Sequence, residues 1–174
     1  MSISLIIGPM FSGKTTELIR RLTRARIAKK RVLIIGHSSD NRYSKEKKII
    51  SHDKRTIECL KTDTLNDSLL ESNPDFIGID EGQFFNNLNI VDTWANRGIH
   101  VIIAGLDSDY NKEGFEVLTK LISSAENITK LTAICVDCGH CAHFTKRITE
   151  SKEKILVGGI NTYQPMCRNC FNKK

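Results

Sequence analysis

The sequence predicts an α/β fold: a parallel sheet with helices on both faces, followed by a small C-terminal metal-stapled lobe. Three observations carry that expectation. Short apolar runs recur at 3–7, 31–36, 76–80 and 100–105, as in strands buried on both faces. Segments of helical spacing separate them, which parallel neighbours require. Two Cys-x-x-Cys pairs then fall within residues 135–174.

Residues 3–7 (ISLII) form a buried strand that ends at Gly8. After the loop 8–14, residues 15–29 place Leu18, Ile19, Leu22, Ala25 and Ile27 or Ala28 at helical spacing. Arg31–Gly36 is the second strand, which completes a βαβ unit with its right-handed crossover. From His37 to about Cys59 the chain is polar and lacks a clear period, and is read as a long mobile excursion of functional character. Thr62–Glu71 is expected to be a helix stopped by Asn73-Pro74. Phe76–Asp80 is a third strand, 86–97 a helix and His100–Gly105 a fourth strand. A helix around 115–123 and a strand around 130–134 complete the α/β part. The expected division is a nucleotide-binding domain over 1–134 and a metal lobe over 135–174, with no linker, internal repeat or low-complexity tract between or within them.

Composition excludes several classes. Hydrophobic residues make up 40% and charged residues 26%, enough for a real core. Three prolines and eleven glycines are too few for a disordered or collagen-like chain. No apolar run approaches the roughly 20 residues that cross a bilayer. Met1–Gly8 lacks the basic start and cleavage site of an export signal, so membrane and secreted readings are set aside and a cytoplasmic location is expected. The formal charge of +6 attracts anions such as nucleic acid or phosphorylated metabolites. Much of the excess lies between Arg20 and Arg31, which is read as a solvated helix face, with a nucleic-acid patch as the alternative. Aromatic residues at 6%, without a basic–aromatic stretch for stacking bases, give that alternative little support. Neither a nucleic-acid nor a membrane partner is expected.

Gly8-Pro9-Met10-Phe11-Ser12-Gly13-Lys14-Thr15 matches GxxxxGK[ST] in full, directly after a strand and opening a helix. In this phosphate-binding loop, the P-loop, backbone N–H groups turn toward phosphate oxygens and the helix N-terminus adds partial positive charge. Lys14 reaches the β- and γ-phosphates and the Thr15 hydroxyl ligates Mg²⁺. The parallel sheet is therefore of the P-loop NTPase type. Asp80 ends an apolar strand, the position of a carboxylate that holds Mg²⁺, and Glu81 follows on another side of the strand end. Asp-Glu alone does not separate a hydrolase from a kinase, so a zinc-ribbon ATPase stays open at this point.

Cys135, Cys138, Cys167 and Cys170 supply two knuckles for a tetrahedral four-thiolate Zn²⁺ site, structural because it is closed. His140, Cys141 and His143 have poorer ligand spacing and are read as bystanders.

The residues from Gly8 to Arg21, Ile79-Asp-Glu-Gly-Gln-Phe-Phe85, Lys130–Cys135, Thr145-Lys-Arg147 and Val157–Tyr163 followed by Cys167-x-x-Cys170 occur in one order. This set resembles the type II (cytosolic, zinc-containing) thymidine kinases from Ser4 to Lys173. The resemblance implies transfer of the γ-phosphate of ATP to the 5′-hydroxyl of thymidine, and of deoxyuridine, in pyrimidine deoxynucleotide salvage for DNA synthesis. It implies Glu81 as general base, with Gln83, Asp40 and Arg42 on the donor side beside the P-loop and Asp80. It also implies a nucleoside pocket of Met10, Phe84, Leu106, Tyr110, Phe115, Thr145 and Tyr163. A "lasso" over Lys154–Tyr163 closes on the base by main-chain hydrogen bonds, with Ile155, Leu156, Val157 and Gly158 as contacts. Structural zinc, one ion per chain, fixes the base of the lasso, and Mg²⁺ accompanies ATP. A homotetramer and feedback inhibition by thymidine triphosphate are further implications. Leu106-Asp-Ser-Asp-Tyr110 is closer to the bacterial-type Gly-Leu-Asp-x-Asp-Phe than to the animal-type Leu-Asp-Gly-Thr-Phe, with Tyr in place of Phe.

Overall fold

The computed structural model describes residues 1–39, 48–50, 56–150 and 158–173. In chain order the elements are β1 (Ser2–Gly8), α1 (Lys14–Ile27), β2 (Val32–His37), β3 (Lys48–Ile50), β4 (Thr56–Glu58) and β5 (Leu60–Thr62). Then come β6 (Phe76–Asp80), α2 (Ile90–Asn96), β7 (His100–Leu106), α3 (Glu116–Leu121) and β8 (Asn127–Lys130). The C-terminal part holds β9 (Ala133–Ile134), β10 (Cys141–Ala142), β11 (Phe144–Arg147), β12 (Tyr163–Met166) and α4 (Arg168–Asn172).

Six strands form one parallel sheet in the order β5-β2-β6-β7-β1-β8. Successive side chains of a strand point to opposite faces, and here both faces are apolar. Ile3, Leu5, Ile35, Ile77, Ile79, Val101 and Ile103 enter one core, where α2 contributes Val91 and Trp94 and α3 contributes Leu118 and Leu121. Ile6, Ile34, Ile102 and Ala104 enter the other, beneath Leu18, Ile19 and Leu22 of α1. Burying one such side chain contributes roughly 1.5–3 kcal/mol, so the sheet is held from both sides. The basic segment after Leu18 is indeed a solvent face: Arg20, Arg24 and Arg26 are exposed, and Glu17 pairs with both Arg20 and Arg21.

Several elements differ from the sequence expectation. The apolar stripe of α1 ends at Ala25, because Ile27 is 76% exposed and Ala28 caps the helix. The polar stretch after His37 contains a hairpin, β3 paired antiparallel with β4, whose Ile49 and Ile57 join the α1-side core. Thr62–Glu71 is not a helix. Leu60–Thr62 is the edge strand of the sheet, and only Asp67–Leu70 forms a single 3₁₀ turn. Asn66 caps that turn by accepting from the Ser68 amide, and Asp67 accepts from the Trp94 indole and from Arg97. The 130–134 strand is two strands: Asn127–Lys130 pairs with β1, whereas Ala133–Ile134 pairs with β10.

Past Leu131 the chain makes two small antiparallel pairs, β9–β10 and β11–β12. Their shared core is slight: Ala133, Cys135, Ala142, Met166 and Cys170, with Phe11 and Phe171 packed against it. Among the described residues no helix is long and apolar enough to cross a membrane.

Candidate active site and metal centre

The sheet brings Gly8, His37, Asp80 and Leu106 to one edge, the carboxyl ends of β1, β2, β6 and β7. Open α/β sheets bind ligands at that edge. β1 and β6 are not neighbours, since β7 lies between them. This spacing leaves a gap that the loop 8–15 spans.

Gly13 sits at φ 79°, a left-handed conformation that turns the loop into α1 without a side-chain cap on the helix. The Ser12 hydroxyl and the Lys14 ammonium both donate to the Pro9 carbonyl, at 2.8 and 2.7 Å. These bonds close the loop on itself. The Thr15 hydroxyl donates to the Asp80 carboxylate at 3.2 and 3.3 Å, and Asp80 is buried. A hydroxyl and a carboxylate placed together are hard oxygen donors, the set that suits Mg²⁺.

Glu81 follows in a left-handed conformation, φ 54° and ψ 44°. For a residue with a side chain this is a held strain, characteristic of functional sites. It opens a 3₁₀ turn over Gly82–Phe84. Gln83 is buried in that turn, where its amide NH₂ donates to Glu81 Oε2 and its Oε1 accepts from the Leu106 amide at 3.0 Å. One amide thus fixes Glu81 against the end of β7. Phe84 and Phe85 stand beside the His37 ring at 5.6 and 4.8 Å, although His37 was not singled out by sequence reasoning.

The remaining expected pocket residues divide into groups. The Met10 amide donates to the Thr145 hydroxyl at 2.9 Å, a buried bond between the loop 8–15 and β11. Tyr110 and Tyr163 are brought together by Arg147, whose guanidinium donates to the Tyr163 hydroxyl and lies over the Tyr110 ring. Phe115 is half-buried against the larger core at the start of α3. Gly158 packs against Thr162 so closely that a Cβ there would meet the Thr162 hydroxyl. Asp40, Arg42, Ile155, Leu156 and Val157 lie outside the described residues. Arg147 is the member to which sequence reasoning gives no role, although Thr145-Lys-Arg147 is part of the resemblance. The signal available was a cation on an alternating strand between two predicted pocket residues.

The sulfurs of Cys135, Cys138, Cys167 and Cys170 all lie within 4.8 Å of one another, with Cys138 and Cys167 3.6 Å apart. Zn–S bonds of about 2.3 Å in a tetrahedron set sulfurs roughly 3.8 Å apart, so the cluster fits zinc. Gly139 at φ 73° makes the first knuckle, its amide donating to the Cys135 carbonyl. Cys167 caps α4 by accepting from the Cys170 amide. The Cys135 thiol is drawn down to about 6 by the hydrogen bond from the Cys167 amide, whereas Cys170 is pushed up to about 12 by its bond with Cys138. Four sulfurs this close cannot all be anionic without a cation among them, a charge that Zn²⁺ would supply when bound. His140, Cys141 and His143 form no part of the cluster.

A family model described as "Thymidine kinase" matches residues 1–171. The chain is 45% identical to a thymidine kinase of Choristoneura fumiferana entomopoxvirus, over 99% of this chain and 97% of that protein. It is 45% identical to thymidine kinase 1 of Dictyostelium discoideum, over 98% of this chain and 77% of that protein. A thymidine kinase of Porphyromonas gingivalis is 41% identical over 99% of this chain and 85% of its own length. A glycine loop closed on itself, an acidic pair at the end of β6 and a four-cysteine cluster thus stand in a chain similar throughout to kinases of one kind. The chain is a phosphotransferase and belongs to the thymidine kinase family.

Proposed function

We propose that the chain transfers the γ-phosphate of ATP to the 5′-hydroxyl of thymidine, and of deoxyuridine, giving the 5′-monophosphate for deoxynucleotide salvage. The observation that carries this reading is the pairing at the end of β6. Asp80 is bonded to Thr15 of the phosphate loop, while Glu81 is held by Gln83.

Gly8, Pro9, Met10, Phe11, Ser12 and Gly13 enclose the phosphates, and Lys14 balances their charge. The main-chain donors come from the loop other than Pro9, which has no N–H, and Met10, whose amide is taken by Thr145. Thr15 and Asp80 hold Mg²⁺, which supplies charge neutralisation on the phosphates when bound. Gln83 borders the donor side, and the family resemblance assigns Asp40 and Arg42, which lie outside the described residues, to that side as well. The Glu81 carboxylate accepts the proton of the 5′-hydroxyl as that oxygen bonds to the γ-phosphorus. The bond from phosphorus to the β-phosphate oxygen breaks, and ADP leaves with the electron pair. Met10, Phe84, Leu106, Tyr110, Phe115, Thr145 and Tyr163 enclose the nucleoside. The family resemblance assigns the base clamp to the main chain of 155–158, of which only Gly158 is among the described residues. Such a clamp rejects cytosine, whose N3 and C4 groups reverse donor and acceptor and leave buried groups unpaired.

On this reading residues 1–134 are the nucleotide-binding domain and 135–174 the zinc lobe with its lasso. A cytoplasmic homotetramer inhibited by thymidine triphosphate is carried over from the family resemblance. The test is a transfer assay with Mg²⁺·ATP and each common deoxynucleoside in turn, with ATP hydrolysis followed alone. Thymidine-dependent formation of thymidine monophosphate, with deoxycytidine refused, is expected. Hydrolysis without transfer, rising when nucleic acid is added, would sink the reading in favour of a zinc-ribbon ATPase.

A further inference from the structure

Arg147 has an unusual situation for a cation. It is 9% exposed, on a strand whose alternate residues Thr145 and Arg147 are buried. Its partner across the β11–β12 pair is Tyr163, directly opposite in register. The guanidinium donates to the Tyr163 hydroxyl at 2.6 Å, lies 3.8 Å from the centre of the Tyr110 ring, and lies 5.2 Å from that of Tyr163. Tyr110 comes from the loop after β7, so the contact spans the sheet and the cysteine-bearing part. Two residues earlier, on the same face of β11, Thr145 accepts from the Met10 amide of the phosphate loop.

A buried cation is a poor choice for stability alone, since well-packed apolar residues do as well or better in such positions. Its planar fork, however, does what no apolar side chain does. It stacks on one ring and fixes the direction of a hydroxyl on another at the same time. Lysine, a point charge on a flexible stem, cannot replace both contacts.

We propose that Arg147 is the positioning residue of the nucleoside pocket. It sets the plane of Tyr110 and the orientation of Tyr163, and β11 ties both to the phosphate loop through Thr145. The proposal rests on the thymidine reading above, because it assigns Tyr110 and Tyr163 to the acceptor side. Its consequence is selective: loss of Arg147 loosens nucleoside binding more than ATP binding or the chemical step. Removing interactions made equally in ground state and transition state raises KM and leaves kcat.

The experiment compares Arg147→Met, Arg147→Lys, Tyr163→Phe and the Arg147→Met/Tyr163→Phe double variant in the full zinc-loaded protein. Thymidine KM, ATP KM, kcat and zinc content are measured for each. In Arg147→Met, thymidine KM is expected to rise about tenfold or more, the scale of one charge-assisted hydrogen bond. ATP KM and kcat should stay within about twofold. Arg147→Lys should recover only part of the loss, and Tyr163→Phe should add nothing in the Arg147→Met background. An unmoved thymidine KM overturns the proposal. So do additive effects in the double variant, or a joint rise of both KM values with a fall in kcat and zinc content. If Arg147→Met does not fold, Arg147→Lys decides on the same KM split. Absence of thymidine-dependent turnover in the unaltered protein overturns the substrate reading and the proposal together. Normal turnover with an unmoved KM in the variants overturns the proposal alone.

Discussion

The Met10 amide donates to the Thr145 hydroxyl across 2.9 Å, a buried bond between residues 135 positions apart. It makes the phosphate loop and strand β11 one unit, and Phe11, the next residue, packs into the small core around the cysteines. The loop that is to hold the donor is thereby built against the strand that carries Thr145 and Arg147.

Replacing Thr145 with Val keeps the shape and removes the acceptor, leaving the Met10 N–H buried and unsatisfied. Such a loss costs about 1–3 kcal/mol, and each kcal/mol lowers Tm by about 2–4 °C in a chain of this size. Thermal denaturation should show that fall for Thr145→Val and little change for Thr145→Ser, which retains the hydroxyl. Equal melting of both variants with the unaltered protein would contradict the coupling.

The zinc centre should hold the C-terminal part and leave the sheet. That part has few apolar residues of its own, whereas the two cores around the sheet contain none of the four clustered cysteines. Structural Zn²⁺ contributes on the order of 10 kcal/mol in small modules. Cys170→Ser, or prolonged chelation, is expected to abolish thymidine turnover while most far-ultraviolet dichroism persists. A chelated protein that keeps full turnover would show that the metal is dispensable.

Much of this organisation is legible in the sequence, for definite reasons. Strands buried on both faces read as unbroken apolar runs, which is why β1, β2, β6 and β7 were expected where they lie. The phosphate loop and the cysteine knuckles are set by local spacing. What escaped notice depends on long-range partners. β5 is three residues at a sheet edge, and the stretch to Glu71 expected to be a helix instead holds a 3₁₀ turn over Asp67–Leu70, tied to Trp94 by Asp67. Hairpin β3–β4 lies in a polar stretch and is covered on its apolar side by the α1-side core. The Thr145-Lys-Arg147 motif is legible in sequence, but the role of Arg147 is not, because Tyr110 is 37 positions away and reaches it only in the fold.

Acid should weaken the fold in a defined window. Glu17 is drawn down to about 2 by its hydrogen bond with Arg20, and Asp75 to about 2 by its bond with Arg31. Both carboxyls bind protons more weakly folded than unfolded. Their contribution is therefore complete above the ordinary carboxylate values of 4.5 and 3.8 and fades as pH falls toward about 2. The Glu17→Gln/Asp75→Asn variant should lose less stability than the unaltered protein between pH 5 and 2, roughly the window in which such carboxylates are protonated. The difference should shrink at high salt, since these pairs are partly exposed. Parallel denaturation curves across that range would exclude both pairs as its source.

The most direct measurement compares Glu81→Gln with the unaltered protein in thymidine turnover, thymidine binding and zinc content. Glutamine keeps the size of the side chain at this left-handed position but cannot accept the 5′-hydroxyl proton. The account predicts a kcat lower by about 10²–10⁴-fold, the usual worth of a general base, with thymidine affinity and zinc retained. Near-normal turnover in Glu81→Gln would contradict it and remove Glu81 from the proton transfer.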